Sequence, residues 1–217
     1  PNTFVASANC GRYCGADIDF VDIDPKTYNM SVDALSEKLI QAKKSGKLPK
    51  IVVPVHFAGQ PCDMMKIHEL SKHYGFKIIE DASHAVGASY NEFKVGSCAY
   101  SDITVFSFHP VKIITTAEGG MALTNDKSVA DKISRLRTHG ITNDKDKMKQ
   151  RPKNEIWNYQ QIDLGFNYRM NDIQAALGLN QLKRLDQYVS RRHEIAQYYN
   201  NELKNFPLIL PWQDTNV

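Results

Sequence analysis

Asp81 and Lys112 stand just past two short apolar runs, where buried strands would end, and 31 positions separate them (112 − 81). Asp81 follows FKIIE at 76–80; Lys112 follows ITVFSF at 103–108, across His109, Pro110 and Val111. A carboxylate at the end of a buried strand is partly desolvated, which raises its pKa unless a cation lies near. A lysine so placed becomes a nucleophilic amine once desolvation or neighbouring positive charge lowers its pKa. Thr115, Thr116, Gly119 and Gly120 come next, hydroxyls and small residues suited to a loop where backbone approaches a ligand. Each residue also has a plainer reading. Asp81 suits the N-cap of a following helix, and Lys112 suits an exposed loop.

Taken together, the pair suits pyridoxal 5′-phosphate. That cofactor needs a lysine to form an imine, a carboxylate on its pyridine nitrogen, and donors for its phosphate. Ser107, five residues before Lys112, is a candidate phosphate donor. The spacing leaves room for one connection and one strand, though many α/β proteins hold such a pair by chance.

The elements that must position these residues alternate. Strands are expected at 17–23, 50–56, 76–80, 103–108 and 120–124. Ser31 is expected to cap a helix to Lys44 with Leu35, Leu39 and Ile40 on one face. Further helices are expected at 63–74, ended by Gly75, then at 126–137, 171–186 and 189–204, with a polar loop over 141–160. The charged stretch 143–153 reads as exposed loop. Strands separated by helices imply an α/β fold with a mostly parallel sheet, whose ligands bind beyond the carboxyl ends of the strands.

Composition narrows the function classes. The charge is 27 − 24 = +3 over 217 residues, with both signs interspersed, so no nucleic-acid partner is expected. No apolar run reaches the length of a membrane span, and no signal peptide is visible. Cys10, Cys14, Cys62 and Cys98 lack a metal-knuckle spacing, so no metal is expected and reduced thiols in the cytoplasm are the simple reading. The absence of G-x-G-x-x-G after a strand argues against a dinucleotide oxidoreductase. His56 suits either a cleft wall or a hydrogen-bonded structural role. Met64 and Met65 read as core, and Tyr198 and Tyr199 as helix packing.

Residues 80–87 (EDASHAVG), 107–120 (SFHPVKIITTAEGG) and 165–178 (GFNYRMNDIQAALG) resemble the sugar-nucleotide aminotransferases of the DegT/DnrJ/EryC1/StrS family. The three motifs stand in the family's order, and the resemblance runs from TFVASAN at Thr3 to the final helices. Ala117 stands where many members carry glycine. The middle motif is similar to that of the branch that aminates C4 of a UDP-linked 4-keto-6-deoxy-N-acetylhexosamine on the route to pseudaminic acid.

The resemblance implies fold type I of the PLP-dependent transferases and a homodimer with shared active sites. It implies a large PLP-binding domain over 1–185, and a helix leading into a small C-terminal domain over 186–217. Lys112 would hold the cofactor, Asp81 would pair with its ring nitrogen, His84 would sit near its ring hydroxyl, and Ser107 would bind its phosphate. Asn167 would reach the phosphate of the other subunit's cofactor, and Arg169 would meet the nucleotide-sugar. Glutamate would be the amino donor. Family members have a phosphate-binding turn ahead of TFVA and extend well past Val217, so the sequence reads as the interior of a longer protein. Two alternatives stay open: amination at C3, and a non-catalytic sugar-nucleotide-binding or regulatory protein on the same fold.

Overall fold

The computed structural model describes residues 2–149, 155 and 157–214 of the 217. The elements run α1 (Ala6–Tyr13), α2 (Val32–Lys44), β1 (Ile51–Val52), α3 (Met64–Tyr74), β2 (Lys77–Asp81), β3 (Ser89–Tyr90), β4 (Phe93–Lys94), β5 (Ile103–Ser107), β6 (Gly120–Leu123), α4 (Lys127–Leu136), β7 (Ile141–Thr142), β8 (Gln160–Gln161), α5 (Asp172–Leu182) and α6 (Leu185–Leu203). The main sheet has the order β1-β2-β5-β6. β1, β2 and β5 are parallel, and β6 closes the edge antiparallel to β5. This is the expected α/β architecture, a mostly parallel sheet flanked by helices. β3–β4 and β7–β8 are small antiparallel pairs outside it.

Local signals set the helix ends. The Ser31 hydroxyl accepts from the Ala34 N–H at 3.2 Å, and Lys43 and Lys44 lie in the last turn of α2, where positive charge complements the dipole. Asp63 caps α3, and Gly75 ends it in the left-handed region at φ 81°. Asn171 and Gln174 form a reciprocal capping box at α5.

Two apolar clusters hold the frame. Leu35 and Leu39 of α2 and Ile67 of α3 pack with Val52, Phe76 and Ile78. Full burial of each such side chain is worth roughly 1.5–3 kcal/mol. The second cluster joins Ala82, Ala85, Val86, Phe106, Phe108 and Ile114, with Leu185 of α6 against it.

Several sequence expectations need correction. Residues 17–23 form no ladder; only an isolated bridge joins Ile23 to Met30. Asp19 and Asp22 each accept from the next backbone N–H, and such local bonds compete with strand pairing. The strand expected over 50–56 contracts to β1 plus a bridge at Val55, because Pro54 offers no N–H. Ile40 is 45% exposed, off the buried face of Leu35 and Leu39. Met64 is core, but Met65 is exposed. Tyr198 and Tyr199 are exposed and meet each other edge to face. The loop over 141–160 carries β7 and the first residue of β8. Its stretch 150–154, with residue 156, lies outside the described residues, as does part of the charged stretch 143–153. α6 begins at Leu185, four residues earlier than expected.

Candidate active site

Parallel register brings the strand ends together. Asp81, the last residue of β2, pairs with Val105 of β5, so Ser107 lies two residues farther along the neighbouring strand. At ~3.3 Å per residue that offset is roughly 7 Å. On the other side of β2, Asp81 donates its N–H to Pro54 O at 2.9 Å and accepts from the His56 N–H at 3.0 Å. Both backbone groups of Asp81 are thus held by the segment 54–56, and on the other flank the next residue, Ala82, donates its N–H to Val105 O at 2.9 Å.

Its side chain is held as well. Oδ1 accepts from the Ser83 N–H at 3.1 Å and from the Ser83 hydroxyl at 2.6 Å. Oδ2 accepts from the Ser7 hydroxyl of α1 at 2.6 Å. No helix follows Asp81, so it caps a turn and not a helix. A carboxylate offers about four lone-pair positions. Three are taken, and the remaining one is on Oδ2.

His84 lies three residues on, against the turn Phe57–Gly59. Its Nδ1 accepts from the Ala58 N–H at 3.3 Å, and Phe57 meets its ring edge to face at 6.3 Å. With Nδ1 an acceptor, the ring proton sits on Nε2. Desolvation, then the positive charge of Lys112, lower the His84 pKa; Asp81 opposes them. The neutral ring is therefore favoured, and Nε2–H is a donor. The same coupling places the Lys112 ammonium within electrostatic reach of His84.

The loop carrying Lys112 is anchored at both ends. Phe108 donates its N–H to Gly119 O at 2.9 Å, and its carbonyl accepts from Thr116 N–H and the Thr115 hydroxyl. A turn closes from Lys112 N–H to His109 O at 2.9 Å. Thr115 N–H donates to Gln181 of α5 at 2.9 Å. A Cβ on Gly119 would run into the Thr116 hydroxyl, and one on Gly120 would come within 2.9 Å of Phe106 O. Internal packing thus requires both glycines. Ala117 takes the left-handed region at φ 65°. Lys112 is half-buried and forms no ion pair among the described residues.

Beneath this surface lies a polar network. His56 is 0% exposed, and its Nε2 meets Glu80 Oε2 at 2.8 Å. Cys62 donates its N–H to Nδ1, which fixes the ring proton on Nε2. Glu80 Oε1 accepts from the hydroxyls of Ser101 and Thr104. Burial pushes the Glu80 carboxyl up, but His56 and the two hydroxyls outweigh it and hold the pKa below 4.5. Side chains alternate along β2, so Glu80 faces opposite to Asp81. His56 therefore has the structural role of its two readings.

Asn167 and Arg169 sit elsewhere in the bonding pattern. The segment GFNYR runs beside the end of α4: His139 N–H donates to Phe166 O at 2.8 Å, and Tyr168 N–H to Arg137 O at 2.9 Å. A Cβ on Gly165 would strike the backbone of Gly140, so glycine is needed at that crossing. Asn167, Tyr168 and Arg169 are exposed, and Phe166 stacks on Tyr168 at 4.8 Å. Among the described residues, no side-chain bond ties Asn167 or Arg169 to the strand-end group. An open groove of about 510 Å³ lies between α4 and the β7–β8 pair, lined in part by Arg135, Trp157 and Tyr159, away from Asp81 and Lys112.

The arrangement is thus a fixed carboxylate, a neutral imidazole donor, a hydroxyl and a lysine with no ion pair among the described residues, at the carboxyl ends of β2 and β5 and in the segments that follow them. Sequence reasoning missed Ser7 and Ser83. Both lie inside motifs already singled out; a serine two residues past a strand-end aspartate was the available signal for Ser83, and Ser7, 74 positions away, had none.

A family model described as the DegT/DnrJ/EryC1/StrS aminotransferase family matches residues 1–216. The UDP-4-amino-4,6-dideoxy-N-acetyl-beta-L-altrosamine transaminase of Campylobacter jejuni subsp. jejuni serotype O:2 is 42% identical over 207 residues, 95% of this chain and 51% of that protein. Helicobacter pylori PseC, an aminotransferase involved in the biosynthesis of pseudoaminic acid, superposes with a TM-score of 0.82 at 35% identity, over 94% of this chain and 50% of that one. The PLP-form of the putative sugar aminotransferase Spr1654 from Streptococcus pneumoniae gives 0.77 at 29% identity, over 94% and 52%. The chain spans about half the length of the relatives it matches.

Proposed function

The chain belongs to the DegT/DnrJ/EryC1/StrS aminotransferase family, with the fold expected of it, and from that premise we propose that it is the core of a PLP-dependent sugar-nucleotide aminotransferase. The observation that carries this is the Asp81 carboxylate, fixed by three donors with one position left on Oδ2. One lone pair on a carboxylate is what a single ring N–H requires.

The other groups fit the same cofactor. His84 Nε2–H suits the ring oxygen, the Ser107 hydroxyl suits the phosphate, and the Lys112 side chain forms no ion pair among the described residues. Pyridoxal phosphate, when bound, supplies a carbonyl that captures amines and a ring that withdraws electrons. Asp81 keeps the ring nitrogen protonated by accepting its N–H. Lys112 Nζ takes the proton from the amino donor's α-carbon and delivers it again as general base and acid. His84 holds its proton on Nε2 and orients the ring.

The family names support a UDP-4-keto-6-deoxy-N-acetylhexosamine aminated at C4 as the acceptor, with glutamate as donor. Residues 1–185 form the large cofactor-binding domain, and 186–217 lead into a small C-terminal domain. Two copies share their sites: exposed Asn167 reaches the other copy's phosphate and Arg169 the nucleotide-sugar. Exposed, unpaired Cys10 and Cys14 suit the reducing cytoplasm, and no helix among the described residues is long and apolar enough to cross a membrane.

The test is an absorption spectrum of the full-length protein with pyridoxal phosphate, before and after glutamate. A near-visible band that shifts with glutamate is expected. A folded protein with no band would overturn the proposal and favour a binding or regulatory role.

A further inference from the structure

We infer that Ser7 is a positioning residue, which fixes the Asp81 carboxylate so that its one open lone pair meets the cofactor's ring nitrogen. This rests on the proposed function above. α1 buries none of its residues, yet one of its side chains reaches 74 positions along the sequence to the end of β2. The contact is 2.6 Å, the length of a charge-assisted O–H···O⁻ bond.

Two anchors act on the carboxylate from different elements. Ser83, in the turn after β2, holds Oδ1 with its N–H and its hydroxyl. That turn alone leaves the group free to swing about the Cβ–Cγ bond. Ser7 holds Oδ2 from α1 and fixes the plane. The Ser7 hydroxyl has one proton, and Asp81 takes it. Thr3 Oγ1 lies 3.2 Å from Ser7 Oγ and 3.4 Å from Phe4 O, so its one proton is shared between the Ser7 oxygen and the Phe4 carbonyl. A short relay, Thr3 to Ser7 to Asp81, extends the site beyond the strand ends to a segment the motif reading left without a role. Remove the Ser7 hydroxyl and Oδ2 has two open positions, so the lone pair is no longer aimed.

A hydroxyl that acts through Asp81 matters only to a ligand with a ring N–H. The test uses the full-length protein and two probes, pyridoxal phosphate and its 1-deaza analogue, which has carbon in place of the ring nitrogen. Kd is read by fluorescence titration for the unsubstituted protein, Ser7→Ala and Ser7→Thr. Ser7→Ala is expected to weaken pyridoxal phosphate by about tenfold, the loss of one bond to a charged group, and to leave the analogue within about twofold. Ser7→Thr keeps the hydroxyl and is expected to restore the affinity. An equal loss for both probes would make Ser7 merely structural, and no loss for either would remove its role; both overturn the inference alone. Failure of the unsubstituted protein to bind pyridoxal phosphate would overturn the proposed function, and this inference with it.

Discussion

The strand-end group and the GFNYR segment, which the proposed function joins in one site, stand on two different kinds of scaffold. Asp81 is braced by backbone bonds to Pro54 and His56, by two serines, and by the buried His56–Glu80 pair next to it. Asn167 and Arg169 ride on an exposed segment, with side chains unbonded among the described residues and with exposed Phe166 and Tyr168 around them. The first group is bonded from several elements of its own chain, while the second presents its polar groups outward. The contrast supports sites assembled from two copies, each giving a rigid cofactor floor and an outward-reaching arm to its neighbour.

The sharpest way to break that comparison is complementation. In the full-length protein, Lys112→Ala should lower turnover by at least about a hundredfold and Asn167→Ala by about tenfold. Coexpressed, half of the dimers pair unlike chains, and each of those keeps one intact site of two, so about a quarter of the activity should return. Activity that stays below the Asn167→Ala level would place Asn167 in its own chain's site.

Stability should separate the halves next. Glu80→Ala leaves His56, Ser101 and Thr104 without their acceptor and should cost about 3 kcal/mol in urea unfolding, against under about 0.5 kcal/mol for exposed Asn167→Ala. Glu80's pKa is lowered in the fold, so its contribution is full above pH 4.5 and is lost as pH falls through the folded value. The difference between the unsubstituted protein and Glu80→Gln should therefore shrink below that pH. Equal costs at Glu80 and Asn167 would remove the distinction between floor and arm.

The smallest effect concerns the loop that joins the floor to Lys112. Ala117 pays for a left-handed conformation that glycine adopts freely. Ala117→Gly should raise stability by about 0.5 kcal/mol in the same unfolding experiment, and a loss there would show that the Ala117 methyl packs usefully.

The frame was legible because its signals are local. Buried β-branched runs gave β2 and β5, and Ser31, Asp63 and Gly75 punctuated α2 and α3 as expected. Strand ends then pointed to Asp81 and Lys112. What escaped was set by distance in sequence. The Ser7–Asp81 bond spans 74 positions and the His56–Glu80 pair 24, and neither has a periodicity to betray it. The segment 17–23 alternates like a strand, yet its aspartates bond to the adjoining backbone. The break at Arg184 has no glycine or proline to mark it. The motif resemblance named Asn167 and Arg169, but only the exposed setting explains why they face away from their own chain.

The central claim is that Lys112 is the amine that engages the cofactor beyond the carboxyl ends of β2 and β5. Treating the full-length, pyridoxal-phosphate-loaded protein with borohydride, then weighing its proteolytic peptides, tests that directly. The account predicts a pyridoxyl-phosphate mass on the peptide that contains Lys112 and on no other. The label on a different lysine, or on none, would contradict it.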